Sequence, residues 1–174
     1  MSLPAETASI PTARRNFILQ QGLCEPAAGT CGVLYSALLF QPWVVGAWVV
    51  LGTILQMPGV FLILGMVLWW CAAAARFNPF DALHNMILGR VRGISLTAAP
   101  APRRFAQFVA GTFALAIGLS LWMGWRVAAY VLEGFFLAAI AALLLGGFCL
   151  GSFVYHLVCG RRDFATRTLP WAKA

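Results

Sequence analysis

Four long runs of apolar residues dominate the chain, and they decide what it can fold into. The first extends from about Val33 to Leu55, the second from about Gly59 to Ala75, the third from about Phe105 to Met123 and the fourth from about Val127 to Val158. A helix rises 1.5 Å per residue, so about 20 such residues cross the roughly 30 Å hydrocarbon layer of a bilayer. Apolar residues make up 61% of the chain and charged residues 10%, against about 45–50% and 25% in soluble domains. A water-soluble fold would need more polar surface than that. The pattern predicts an all-α integral membrane protein with four transmembrane helices.

The breaks between runs set the connectivity. Gln56-Met57-Pro58-Gly59 carries Pro and Gly as helix breakers, and Trp122-Met123-Gly124-Trp125-Arg126 is equally short. Short links make antiparallel neighbours, so the four helices are expected as two hairpins. The expected segments are an N-terminal stretch 1–32, a first hairpin 33–75, a loop 76–104, a second hairpin 105–158 and a tail 159–174. No apolar run precedes Arg15, so no cleaved signal peptide is expected and the first span serves as the insertion signal.

Orientation follows from the basic residues. Arg14 and Arg15 precede the first run; Arg76, Arg90, Arg92, Arg103 and Arg104 lie in the central loop; Arg161, Arg162, Arg167 and Lys173 follow the last run. Only Arg126 occupies a hairpin tip. With an even number of spans the ends and the central loop share one side, and the positive-inside rule makes that side cytoplasmic. The net charge of +7 is thus a topology signal, and no nucleic-acid partner is expected.

Within the loop, 79–88 reads as a short helix lying in the headgroup plane. Asn78 suits its cap, Pro79 its first position and Asp81 its positive dipole end, while Gly89 can stop it. Phe80, Leu83 and Ile87 share one side; Asp81, His84 and Asn85 share another. A similar interfacial helix is expected over Phe17–Leu23.

Few residues offer chemistry. Glu133 is the one acidic residue in an apolar run, and an intramembrane carboxylate is a functional candidate. The fourth run, however, would make a helix of roughly 48 Å, longer than one crossing, which favours a wet, interfacial Glu133. His84 and His156 could each ligate a haem or chlorin metal axially, though interfacial positions explain both more simply. Cys149-Leu150-Gly151-Ser152 has C-x-x-S spacing: a monothiol is conceivable there, an internal disulfide is not. Gly147 and Gly151 flank that cysteine at four-residue spacing, a pattern of close helix packing. Ala110, Ala114 and Gly118, with Ala138, Ala142 and Gly146, form two further small-residue faces, expected to meet each other inside the second hairpin. Trp122 and Trp125 fit an interfacial belt, whereas Trp43, Trp48, Trp69 and Trp70 occur at several depths and could pack lipid, pigment or a partner. The five cysteines read mostly as buried small hydrophobes. No hydrolase, metalloprotease or phosphate-loop motif is present.

The pieces Arg76-Phe77-Asn78-Pro79-Phe80, Pro102-Arg103-Arg104-Phe105-Ala106-Gln107 and Gly147-Phe148-Cys149-Leu150-Gly151 resemble the DUF4395 family of bacterial four-helix membrane proteins. The resemblance covers roughly Asn16 to Val158. It implies a bacterial inner-membrane protein and supplies no activity. Relatives often carry a second cysteine where this chain has Ser152, which puts a dithiol role in doubt here.

The function expected from these observations is a non-catalytic accessory subunit of a larger membrane complex, respiratory or photosynthetic. It would pack against other membrane subunits and lipid, with lipid, quinone or pigment as bound molecules. His84, His156, Trp69 and Trp70 are the candidate contacts. Two alternatives stand beside it: a thiol-redox or sulfur-handling protein using Cys149, and a small transporter using Glu133. No soluble substrate is evident.

Overall fold

The computed structural model describes residues 12–27 and 29–172, which form helices and connecting turns with no strand among them. Lys173 and the first eleven residues of the expected 1–32 stretch lie outside that range. The helices are α1 (Thr12–Gln20), α2 (Cys31–Leu55), α3 (Pro58–Ala73), α4 (Pro79–His84), α5 (Arg90–Arg92), α6 (Ala101–Trp122), α7 (Arg126–Gly146), α8 (Leu150–Val158) and α9 (Arg162–Arg167).

Three helices are long and apolar enough to cross a membrane, not four: α2, α6 and α7. The second run is apolar, but α3 holds 16 residues, about 24 Å of helix against a layer of roughly 30 Å. It starts at Pro58 because proline suits the first helical turn. Gln56, in the left-handed conformation at φ 50°, ends α2 just before it.

The fourth run is not one helix. Gly147 adopts φ +62° and ends α7. The N–H groups of Gly147 and Phe148 turn back onto the carbonyls of Leu143 and Ala142 at 3.1 and 3.2 Å. Phe148 and Cys149 then link to α8. Glycine supplies the left-handed backbone without the Cβ penalty other residues meet there. The expected 48 Å rod is therefore two helices, and excess length no longer pushes Glu133 into water.

Small residues set the packing, with partners other than those expected. α3 runs antiparallel along α6: Leu62 touches Gly118, and the backbones of Gly65 and Gly111 nearly meet. Trp69 lies beside Thr112, and Arg104 donates to the Ala72 carbonyl at 2.7 Å. The α6 face of Ala114 and Gly118, both buried, thus receives α3 rather than α7. On α7, Ala138 and Gly146 are exposed, so the face expected to pair with α6 is not the packed one. α7 packs on α6 through other residues, with Phe136 against Phe113, and on α2, where Gly46 lies under Ile140 and Leu144. α8 crosses α6 with Gly151 against Ala106. In lipid, close backbone approach of this kind is what holds helices together.

One cluster centres on Val49, Phe61, Leu64, Leu68, Ala114, Ile117 and Phe136; a second, around Phe17, Ile18, Leu38 and Cys149, sits where α1 packs. Large apolar side chains also cover the outside, including Ile54, Phe135 and Leu145. A bundle apolar both within and without fits a lipid surround.

Candidate functional site

α4 begins at Pro79, and the Asn78 side chain caps it by accepting the Phe80 N–H at 3.0 Å. The polar side of this segment turns inward. Asp81 and His84 are buried, while Leu83, Met86 and Ile87 face out. Asn78 Nδ2 donates to Asp81 Oδ2 at 3.0 Å, and the Cys71 thiol lies 3.3 Å from Asn78 Oδ1. Arg103 closes the cluster from α6, with its Nη2 2.5 Å from Asp81 Oδ1.

Arg103 was expected to be a solvated topology charge in the loop before the third span. Instead it lies inside α6, which starts four residues earlier than the run at Phe105, and is 6% exposed. A buried guanidinium requires an anion and further hydrogen bonds. Asp81 supplies the first, and Gln41 Oε1 from α2 accepts Arg103 Nη2 at 3.0 Å. The same oxygen accepts Gln107 Nε2 at 2.9 Å. Arginine can only donate, so Gln41 must present its carbonyl oxygen, and Gln107 must then present its NH2. The Gln107 carbonyl oxygen is consequently left buried with no partner among the described residues.

This polar cluster forms one end of a cleft of about 280 Å³ between α2, α6, α7 and α8. Among the described residues, Gln21, Gln41, Arg103 and Gln107 are its polar lining, and Arg103 its only charged residue. The remaining wall is apolar and includes Phe113, Phe136, Ile140 and Val154.

Cys149 also lines the cleft, at the helix break. Its backbone N–H donates to Gln20 Oε1 at 3.1 Å, which fixes the start of α8 against α1. Ser152 lies one turn on, buried, with its hydroxyl 3.4 Å from the Pro102 carbonyl oxygen. Gly147 and Gly151 serve different ends: the first turns the chain, the second admits α6.

The two histidines are buried within the chain. His156 Nε2 faces the Gln20 carbonyl at 3.1 Å, so it carries the proton. His84 Nδ1 faces Asn85 Oδ1 at 3.3 Å, and its ring packs edge-on to Phe40. Each keeps an unpaired ring nitrogen, but they belong to separate clusters, and no group of three metal-ligating side chains occurs among the described residues. Trp69 stacks on Phe108, and Trp70 donates to the Phe77 carbonyl at 3.2 Å; neither lines the cleft.

Glu133 is 2% exposed, contrary to the wet position expected. Gln56 Nε2 donates to both carboxylate oxygens at 3.1 Å and to the Thr53 carbonyl at 2.7 Å. The carboxylate ties the α2–α3 turn to α7, away from the cleft lining. Arg76 and Arg161 are exposed, as is Arg162 at the start of α9.

Gln41 carries no motif, and sequence offered no sign of its role. Gln107 falls in the piece Pro102–Gln107 that carries the family resemblance, which was the one available hint. Fold and site together define an all-α bundle, three of whose helices are long and apolar enough to cross a membrane, with a half-open cleft polar at one end. The chain belongs to the DUF4395 family, described as a domain of unknown function, whose family model matches residues 35–159. No curated protein and no solved structure matches it.

Proposed function

We propose that this chain is a non-catalytic accessory subunit of the bacterial inner membrane that holds an amphipathic molecule, such as a quinone or lipid, beside partner helices. The observation carrying this reading is the cleft: hydrogen-bonding side chains at one end, apolar walls beyond. Ligand pockets combine apolar walls with a few placed polar groups in this way. The termini and the arginine-rich loop lie on the cytoplasmic side in this reading, following the distribution of basic residues. Exposed Phe77, Met86, Ile87 and Val91, interspersed with Arg76, Arg90 and Arg92, suit a loop pressed into the headgroup layer there.

The test is purification from native membranes in mild detergent, followed by mass spectrometry of co-migrating chains and small molecules and an absorption spectrum. Stoichiometric partners and a bound amphiphile are the expected result. A lone protein without bound molecules, unchanged when Ala139→Trp fills the cleft, refutes it. Thiol chemistry at Cys149 is a second reading, favoured by that residue's place on the cleft wall. It requires Cys149→Ser to abolish a thiol-dependent activity in membranes, while a variant that remains fully active removes it.

A further inference from the structure

We infer that the cleft selects an uncharged head bearing a hydroxyl donor, as on a hydroquinone or long-chain alcohol, over an anionic lipid head. The inference rests on the cleft reading above and specifies its ligand. Three observations carry it.

The only charged residue lining the cleft among the described residues, Arg103, already has its carboxylate partner at 2.5 Å. An incoming phosphate or carboxylate would have to displace Asp81 or lie beside it, and two anions at one buried guanidinium repel each other. Cation and anion cancel, and the end of the cleft is polar without net charge.

The second observation is the free acceptor. Gln107 is 5% exposed and lines the cleft, and its Oε1 is unpaired among the described residues. The hydrogen-bond order from Arg103 through Gln41 to Gln107 fixes which end of each amide points where, so rotation of the Gln107 amide cannot satisfy this oxygen without breaking the bond to Gln41. A buried unpaired carbonyl oxygen gains most from a donor. A ketone, ether or phosphate oxygen brings none; a hydroxyl does.

The third is size. A cavity of about 150 Å³ lined by apolar side chains holds benzene, and the cleft here measures about 280 Å³. A single ring or a hydroxymethyl head with its first methylenes fits that space. A longer tail continues outward through the open side.

The experiment uses the full chain purified in mild detergent under reducing, anaerobic conditions, with four probes of matched tail length: decylhydroquinone, its dimethyl ether, 1-decanol and decyl phosphate. Binding is read as the amount retained after gel filtration and as Kd. Decylhydroquinone should bind at least tenfold tighter than both the dimethyl ether and the phosphate, and Gln107→Leu should remove that preference. Equal binding of 1-decanol also supports the inference and assigns recognition to the hydroxyl rather than the ring. If decyl phosphate or the ether matches the hydroquinone while Ala139→Trp abolishes retention, the head-group inference fails and the cleft reading stands. If no probe is retained, or Ala139→Trp retains them all, the cleft reading fails as well. The comparison of probes on the unaltered protein does not depend on Gln107→Leu folding.

Discussion

Adding one methyl group at Gly111 should separate α3 from α6, while the same group at Gly134 should do the opposite. A Cβ on Gly111 would lie 2.5 Å from Trp69 Cδ1, 3.0 Å from the Gly65 carbonyl oxygen and 3.2 Å from Leu68 Cβ. The Trp69 ring can rotate at the expense of its stack on Phe108, but the Gly65 backbone cannot move unless α3 moves. Restoring ordinary contact needs a shift of about 0.5 Å, and a gap of that order forfeits about a quarter of each dispersion contact along the interface. Overpacking of this kind typically costs about 1–3 kcal/mol. At Gly134 a Cβ meets nothing within 4 Å, so Gly134→Ala gains only helix propensity, about 0.5–1 kcal/mol of stabilisation. Denaturation of each variant in mixed micelles, followed by circular dichroism, gives both values. Equal effects, or a stabilised Gly111→Ala, would refute the claim that backbone contact between Gly65 and Gly111 holds these helices.

Three further outcomes follow from the same structure. Asp81→Ala should destabilise by about 3–5 kcal/mol, because it strands a buried guanidinium, and Asp81→Leu combined with Arg103→Met should recover much of the loss; micellar denaturation of the three variants measures this. A maleimide should label Cys24 and Cys159 promptly in the folded protein and reach Cys31 and Cys71 only after denaturation, read by mass spectrometry of peptides. Arg15 hydrogen-bonds Glu25 and holds its carboxyl below the usual range. A depressed carboxyl stabilises above its unfolded pKa, and the contribution is lost as pH falls through the folded one. Amide exchange over Thr12–Gln20 should therefore quicken with acid, an effect that Glu25→Gln removes; the effect is small because the pair is exposed.

The helices were legible where the physics is local. Apolar run length located α2, α6 and α7, and the Asn78-Pro79 signal located the start of α4. Gly146-Gly147 was also readable as a break, but hydropathy ran straight through it, and the longer run carried more weight than the glycines. The polar cluster was not legible. Arg103 beside Arg104 looks the same in sequence whether it faces water or Asp81; only the docking of α4 under α6, 22 residues apart between the charged partners, decides. Glu133 failed for the same reason, since its partner Gln56 is 77 residues away. Small-residue faces announced that close packing would occur without naming the partner, and the small-residue face of α6 met α3 while α7 packed on α6 through larger side chains.

The inward turn of α4 bears on how the chain is made. When ribosomal synthesis has delivered the first 89 residues, Asp81 and Gly65 have emerged but their partners, Arg103 and Gly111, have not. The nascent first half therefore holds an unmatched carboxylate and a bare helix groove until α6 docks. Until then this half is open to mispairing. Splitting the gene between residues 93 and 100 should accordingly yield two fragments that accumulate only when produced together.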